Sequence, residues 1–203
     1  MRGLRAKLGC VGIFLVGLLG GCANTVDPQG PPGELKGFGP GALEPWLLVD
    51  TKKDALILMQ GGKPVKTFSR IAVGSSGVGV KSGRGDNKTP LGVFRVGWIN
   101  DNSRFKRFIG LDYPNLDYAN RALRSNRIDA LTYERIRQAW SNGYTPPQDT
   151  PLGGQIGIHG IGRGNPGVHD AGINWTSGCV ALDNSQIDAL RPWIKVGMRV
   201  EIR

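Results

Sequence analysis

Side chains able to do nucleophilic or acid–base chemistry near neutral pH are scarce in this chain: 203 residues contain two histidines and three cysteines. His159 and His169, taken with Asp170 and Cys179, match no common zinc-ligand spacing, so neither a metal site nor any other cofactor is expected. So small and odd a number of cysteines excludes a disulfide framework. Acidic residues are also in short supply, 16 against 26 Lys and Arg, for a formal net charge of +10. That balance suits an anionic partner. No Lys/Arg run with interleaved aromatics is present, however, which argues against nucleic acid. Glycine, by contrast, is plentiful. The glycine-rich stretch 74–86 is followed by neither GK[ST] nor a helical pattern, so it is not read as a phosphate cradle.

No apolar run reaches the roughly 20 residues that a membrane-spanning helix needs. The apolar stretch 8–19, behind Arg2, Arg5 and Lys7, is short and reads as the core of an export signal over residues 1–21. Leu19-Gly20-Gly21-Cys22 is similar to a bacterial lipobox, in which the cysteine becomes the acylated N-terminus. Ala23, which is not Asp, points to the outer membrane. A plain signal peptide or an uncleaved anchor is the competing reading. Cleavage removes Cys10 and three cations, leaving about +7 of the formal +10, and acylation consumes Cys22. Cys179 is then a single unpaired thiol in the oxidising periplasm, where a free cysteine is either buried and inert or used. For an exported, lipid-anchored protein, phospholipid headgroups and cell-wall carboxylates are the fitting anionic partners. Residues 22–44 are rich in Pro and Gly and read as a tether, leaving 45–203 as one domain with a full core.

That domain reads as mainly β. Trp46-Leu47-Leu48-Val49 and residues 55–59 are apolar strands joined by a polar turn, residues 65–73 alternate as a third strand, and 94–99 form another. Between about 101 and 150 the character changes to a helical insertion, with a short helix near 118–123. A second helix carries Tyr133, Ile136 and Trp140 on one face behind Asp129 as N-cap. The insertion is expected either to pack on the β body or to act as a lid. The strand pattern returns at Ile156-Gly157-Ile158-His159-Gly160, residues 185–190 look helical with Ser185 and Asp188 as a capping box, and 198–202 close the domain as a strand.

His159 ends an apolar strand, and Cys179 closes Thr176-Ser177-Gly178-Cys179. A thiol becomes a nucleophile as thiolate, and a neighbouring imidazole can take its proton. Gly160 frees the backbone and the space beside the ring, and Gly178 clears an approach to the sulfur. The N–H groups of Gly178 and Cys179 are placed to face a developing oxyanion.

Together, His159-Gly160, sixteen residues between His159 and Thr176, and Thr176-x-Gly178-Cys179 followed by Val180 resemble the signature of the L,D-transpeptidase (YkuD-type) catalytic domain. Thr89-Pro90-Leu91-Gly92-Val93-Phe94 is similar to that family's T-P-x-G-x-F segment. The resemblance runs from about 46 to 202. It implies a β-sandwich or open barrel with small helices, and a cysteine acyltransferase acting on peptidoglycan stem peptides. It casts Cys179 as nucleophile and His159 as base, with Gly178, Thr176, Ser177 and Gly160 forming the oxyanion region and its support. The cysteine of such enzymes attacks the L-centre carbonyl of the third stem residue, D-Ala leaves, and an amine acceptor resolves the thioester, as a cross-link or as attachment of a protein to the wall.

Two positions depart from the pattern: Ser177 stands where many members have His, and Ala181 where many have Arg or Asn. Loss of that Arg removes a bidentate carboxylate partner, so recognition is expected from Arg163 or the insertion, with His169, Asn174 and Trp175 lining the intervening loop. Members with Ala there are similar to enzymes that hydrolyse rather than join, releasing a wall-anchored lipoprotein. A wall-binding lipoprotein with an inactive site is the third alternative.

Overall fold

The computed structural model describes residues 43–164 and 166–203; the expected export signal, Cys22 and the tether up to residue 42 lie outside the described residues. In chain order the elements are β1 (Trp46–Asp50), β2 (Ala55–Gln60), β3 (Lys63–Ser69), β4 (Val78–Gly79), β5 (Thr89–Pro90), β6 (Gly92–Ser103), β7 (Lys106–Leu111), α1 (Leu116–Arg124), α2 (Ala130–Ser141), β8 (Gly157–Gly160), α3 (Pro166–Asp170), β9 (Val180–Leu182), α4 (Asn184–Leu190) and β10 (Arg199–Ile202). The fold is mainly β, as expected. Eight strands form one mixed sheet in the order β3-β2-β1-β10-β6-β7-β8-β9, and β4 and β5 form a separate pair.

The apolar runs account for this order. Leu47, Val49, Leu56 and Leu58 alternate along β1 and β2 and are fully buried, joined by Phe94 on β6 and Val200 on β10. Ile158, Val180 and Leu182 continue the same core under β8 and β9, and α4 covers it through Ile187. Of the two parallel pairs, β1–β10 lies inside the sheet with strands on both sides, whereas β8–β9 forms one end of it, where Ala72 pairs with Ala181 on β9.

Four expectations are corrected. Strand β3 begins at Lys63 and ends at Ser69 because Arg70 turns out at φ +58°. The insertion does not begin as helix. β6 runs on to Ser103 and returns as β7, and only α1 and α2 are helical. Nor is it a lid: Tyr118, Ala119, Ile136 and Trp140 are buried in the main core, and the Tyr118 hydroxyl donates to Leu91 O at 2.9 Å. Asp129 caps α2 through Thr132 N, as expected. The cap of α4 is Asp183, boxed with Gln186; Ser185 and Asp188 lie inside the helix, where Ser185 Oγ donates to Asp183 instead. Among the described residues no helix is long and apolar enough to cross a membrane.

Candidate active site

Strand register brings the two scarce residues together. β8 and β9 run parallel with Ile158 opposite Val180 and His159 opposite Ala181. Side chains alternate across a sheet, so Cys179, two residues before Ala181, shares the face of His159, about 7 Å further along the strand. That diagonal is within reach of an imidazole.

The His159 ring is almost wholly buried, 2% exposed, and packed by aromatics. Phe105 stacks on it at 4.3 Å between centroids, Phe108 lies at 5.9 Å, and Trp175 meets it edge-on at 5.8 Å. Its Nδ1 lies 2.7 Å from Gly160 O. A carbonyl only accepts, so Nδ1 carries the hydrogen and Nε2 keeps its lone pair. Burial pushes the imidazole pKa down against the pull of that carbonyl, and the Arg104 charge adds to the depression. At neutral pH the ring is a neutral base.

Cys179 is half-buried and its Sγ donates to Gln155 O at 3.4 Å; among the described residues no hydrogen bond joins the sulfur to the imidazole. Burial pushes the thiol up to about 11, opposed by the Gly157 backbone N–H and by the Lys81 ammonium. The resting pair is thus neutral thiol and neutral imidazole.

Two threonines converge on the Cys179 carbonyl. Thr176 Oγ1 donates to it at 2.7 Å and Thr89 Oγ1 at 3.4 Å, while Thr89 accepts from Gly74 N at 2.8 Å. Fixing that carbonyl fixes the backbone that carries the sulfur. Gly178 takes φ +127°, and a Cβ there would lie 2.8 Å from Lys88 O, so only glycine fits. Its N–H, expected to face an oxyanion, instead donates to Thr176 Oγ1 at 3.1 Å.

A sequence model of the L,D-transpeptidase catalytic domain (YkuD) matches residues 44–202. The chain belongs to the L,D-transpeptidase catalytic-domain family. Among solved structures it is similar to Bd1075 of Bdellovibrio bacteriovorus (18% identity over 79% of this chain and 48% of that one, TM-score 0.51). It is also similar to the helical cell shape determining protein Pgp2 of Campylobacter jejuni (20%, 79% and 48%, TM-score 0.49) and to an L,D-transpeptidase of Xylanimonas cellulosilytica (16%, 81% and 63%, TM-score 0.44). The chain spans about half the length of the first two. At these identities the likeness is one of fold. No curated protein matches the chain.

Within this L,D-transpeptidase domain the remaining expected site residues part company. Gly160 serves packing rather than freedom of angle, since a Cβ would fall 2.7 Å from Asn184 Oδ1 and 2.9 Å from Phe105 O. Asn174 is a brace: its Oδ1 accepts from Val73 N at 2.9 Å. His169 is buried on α3 with its Nδ1 unpartnered among the described residues. Ser177 is exposed. Arg163 and Trp175 line a cleft with Phe105 and Arg104. Among the described residues no group of three or more His, Cys, Asp or Glu side chains is placed to hold a metal.

Four contributors escaped the sequence reading. Phe105 and Phe108 sit on a hairpin that the helical expectation hid. Lys81 is buried and paired with Asp86 at 2.5 Å, and a Cβ on Gly178 would come within 3.5 Å of its ammonium. Burial opposes ionisation of Asp86, yet Lys81 and the backbone N–H groups of Lys88 and Ser82 bring it down to about 2. Thr89 lay in a recognised motif, but its bond to a residue ninety positions away had no sequence signal.

Proposed function

We propose that the chain is a cell-wall L,D-transpeptidase working through Cys179 and His159 on peptidoglycan stem peptides. The observation that carries this reading is the bond from His159 Nδ1–H to Gly160 O, on the sheet face shared with Cys179, which leaves Nε2 as the free base. When the donor peptide binds, Nε2 takes the thiol proton and Sγ attacks the L-centre carbonyl of the third stem residue. As the tetrahedral adduct collapses, the C–N bond breaks and the imidazolium returns its proton to the departing D-Ala amine. A thioester remains on Cys179. An amine acceptor, deprotonated by the same Nε2, attacks it and restores the thiol. With Gly178 N–H engaged by Thr176, the Cys179 N–H is the donor assigned to the oxyanion; one such donor is worth about 10² to 10³ in rate.

Water in place of the amine gives the hydrolase of the same site, releasing wall-attached lipoprotein. Ala181 in the position of the family's Arg is the observation that favours this second reading. Incubating the protein with disaccharide-tetrapeptide and following products by mass spectrometry separates the two. A Cys179-dependent cross-linked dimer with loss of D-Ala supports transpeptidation. Cleavage without joining supports hydrolysis, and products unchanged in Cys179→Ala reject both. Acylation at Cys22 and residence in the periplasm on the outer membrane complete the proposal, resting on the Leu19-Gly20-Gly21-Cys22 pattern.

A further inference from the structure

Beside the imidazole opens a cleft of about 830 Å³, between the turn joining β6 to β7 and the loop after β8. Its apolar lining is Phe105, Ile161, Val168 and Trp175, two of which also pack His159, so the cleft begins one ring's thickness from the base. Arg104 and Arg163 stand at its rim. The two are held close together, because a Cβ on Gly162 would lie 2.1 Å from Arg104 O: the two backbones touch.

Neighbouring cations are already neutralised. Lys106 and Arg107 pair with Asp188 at 3.3 and 2.6 Å, and Arg107 and Arg191 share Asp101 at 2.8 and 2.7 Å. Among the described residues Arg104 and Arg163 are in no ion pair; Arg104 lies over the Phe105 ring at 4.7 Å. Two guanidiniums without carboxylates, above an apolar lining, are built to receive a carboxylate from a ligand.

We infer that this cleft is the leaving-group subsite, and that Arg104 and Arg163 bind the C-terminal carboxylate of the donor stem peptide. The inference rests on the proposed reaction. There the imidazole must hand a proton to the departing amine, so the residue being released lies on the His159 side of the sulfur. The next charged atoms along that residue are those of its carboxylate. The position two residues after the cysteine, occupied by buried Ala181, leaves no cation there to do this work.

The test titrates the full chain carrying Cys179→Ala with a stem tetrapeptide ending in D-Ala and with the same peptide ending in D-alaninamide. The acid should bind at least about tenfold more tightly than the amide, the equivalent of one charge-assisted pair. Arg163→Gln, which leaves the stack on Phe105 alone, should erase most of that preference, and adding Arg104→Gln should erase the rest. Circular dichroism confirms that each variant is folded. Equal binding of acid and amide, binding of neither, or a preference that survives both substitutions overturns the assignment. Since no turnover is needed, failure of the proposed reaction in the unsubstituted protein shows separately, as absence of Cys179-dependent products.

Discussion

Electrostatics at the scale of single residues sets how the candidate pair works. Burial holds the Cys179 thiol up and the His159 imidazole down, so the thiolate is made only when proton transfer is coupled to attack. Alkylation by iodoacetamide should therefore be slow at pH 8 and keep rising to about pH 11, whereas an ordinary cysteine levels off near 9.0. A plateau below pH 9 would mean a resting ion pair. For His159 the sign is opposite. The ring must be neutral to accept a proton, and its folded pKa is depressed, so kcat/KM should persist below the ordinary 6.5 and fall only at lower pH. Cys179→Ala should abolish turnover with little change in thermal midpoint, because its hydrogen bond to Gln155 O is long. Measured activity in that variant would end the cysteine mechanism. Both residues were legible in the sequence by their rarity and glycine neighbours. The tautomer was not, because the carbonyl that fixes it belongs to backbone geometry.

Each secondary-structure element was legible to the degree that its own side chains declare its burial. β1 and β2 are uninterrupted apolar runs, and α2 carries its stripe behind Asp129, so their sequences suffice. The β6–β7 hairpin is different. Its outer half, Asn100-Asp101-Asn102-Ser103, is polar and mostly exposed, and the strands that flank the hairpin, β10 and β8, come from far along the chain. With that hairpin went Phe105 and Phe108, and with them the packing of the base. The cap of α4 gives a sharp check. Asp183→Ala removes a side chain that bonds Gln186 N at 2.7 Å and should cost about 1 kcal/mol, up to about 2. Ser185→Ala removes only an exposed contact and should cost less; urea denaturation of both variants measures the difference. Equal costs would restore Ser185 as the cap.

At the scale of the whole molecule, α1 and α2 belong to the same core as the sheet. Deleting residues 116–141 should leave a protein without a cooperative unfolding transition, rather than a folded enzyme of altered acceptor choice; calorimetry distinguishes the two. Cys22→Ser should move the protein from membrane to soluble fractions, and unchanged fractionation would refute acylation. The parallel pairing of β8 with β9 has a wider consequence. The placing of sulfur against imidazole is set by the repeat of the sheet, about 4.8 Å between strands, and by a two-residue offset in register, rather than by the length of the connection 161–179 between β8 and β9. The outer part of that connection, with Arg163 on it, is free to be recut while Asn174 and Trp175 stay to brace the loop and pack the imidazole. Reactivity and choice of ligand are therefore separately editable in this chain, and a loop graft is a route to a new substrate that leaves the chemistry alone.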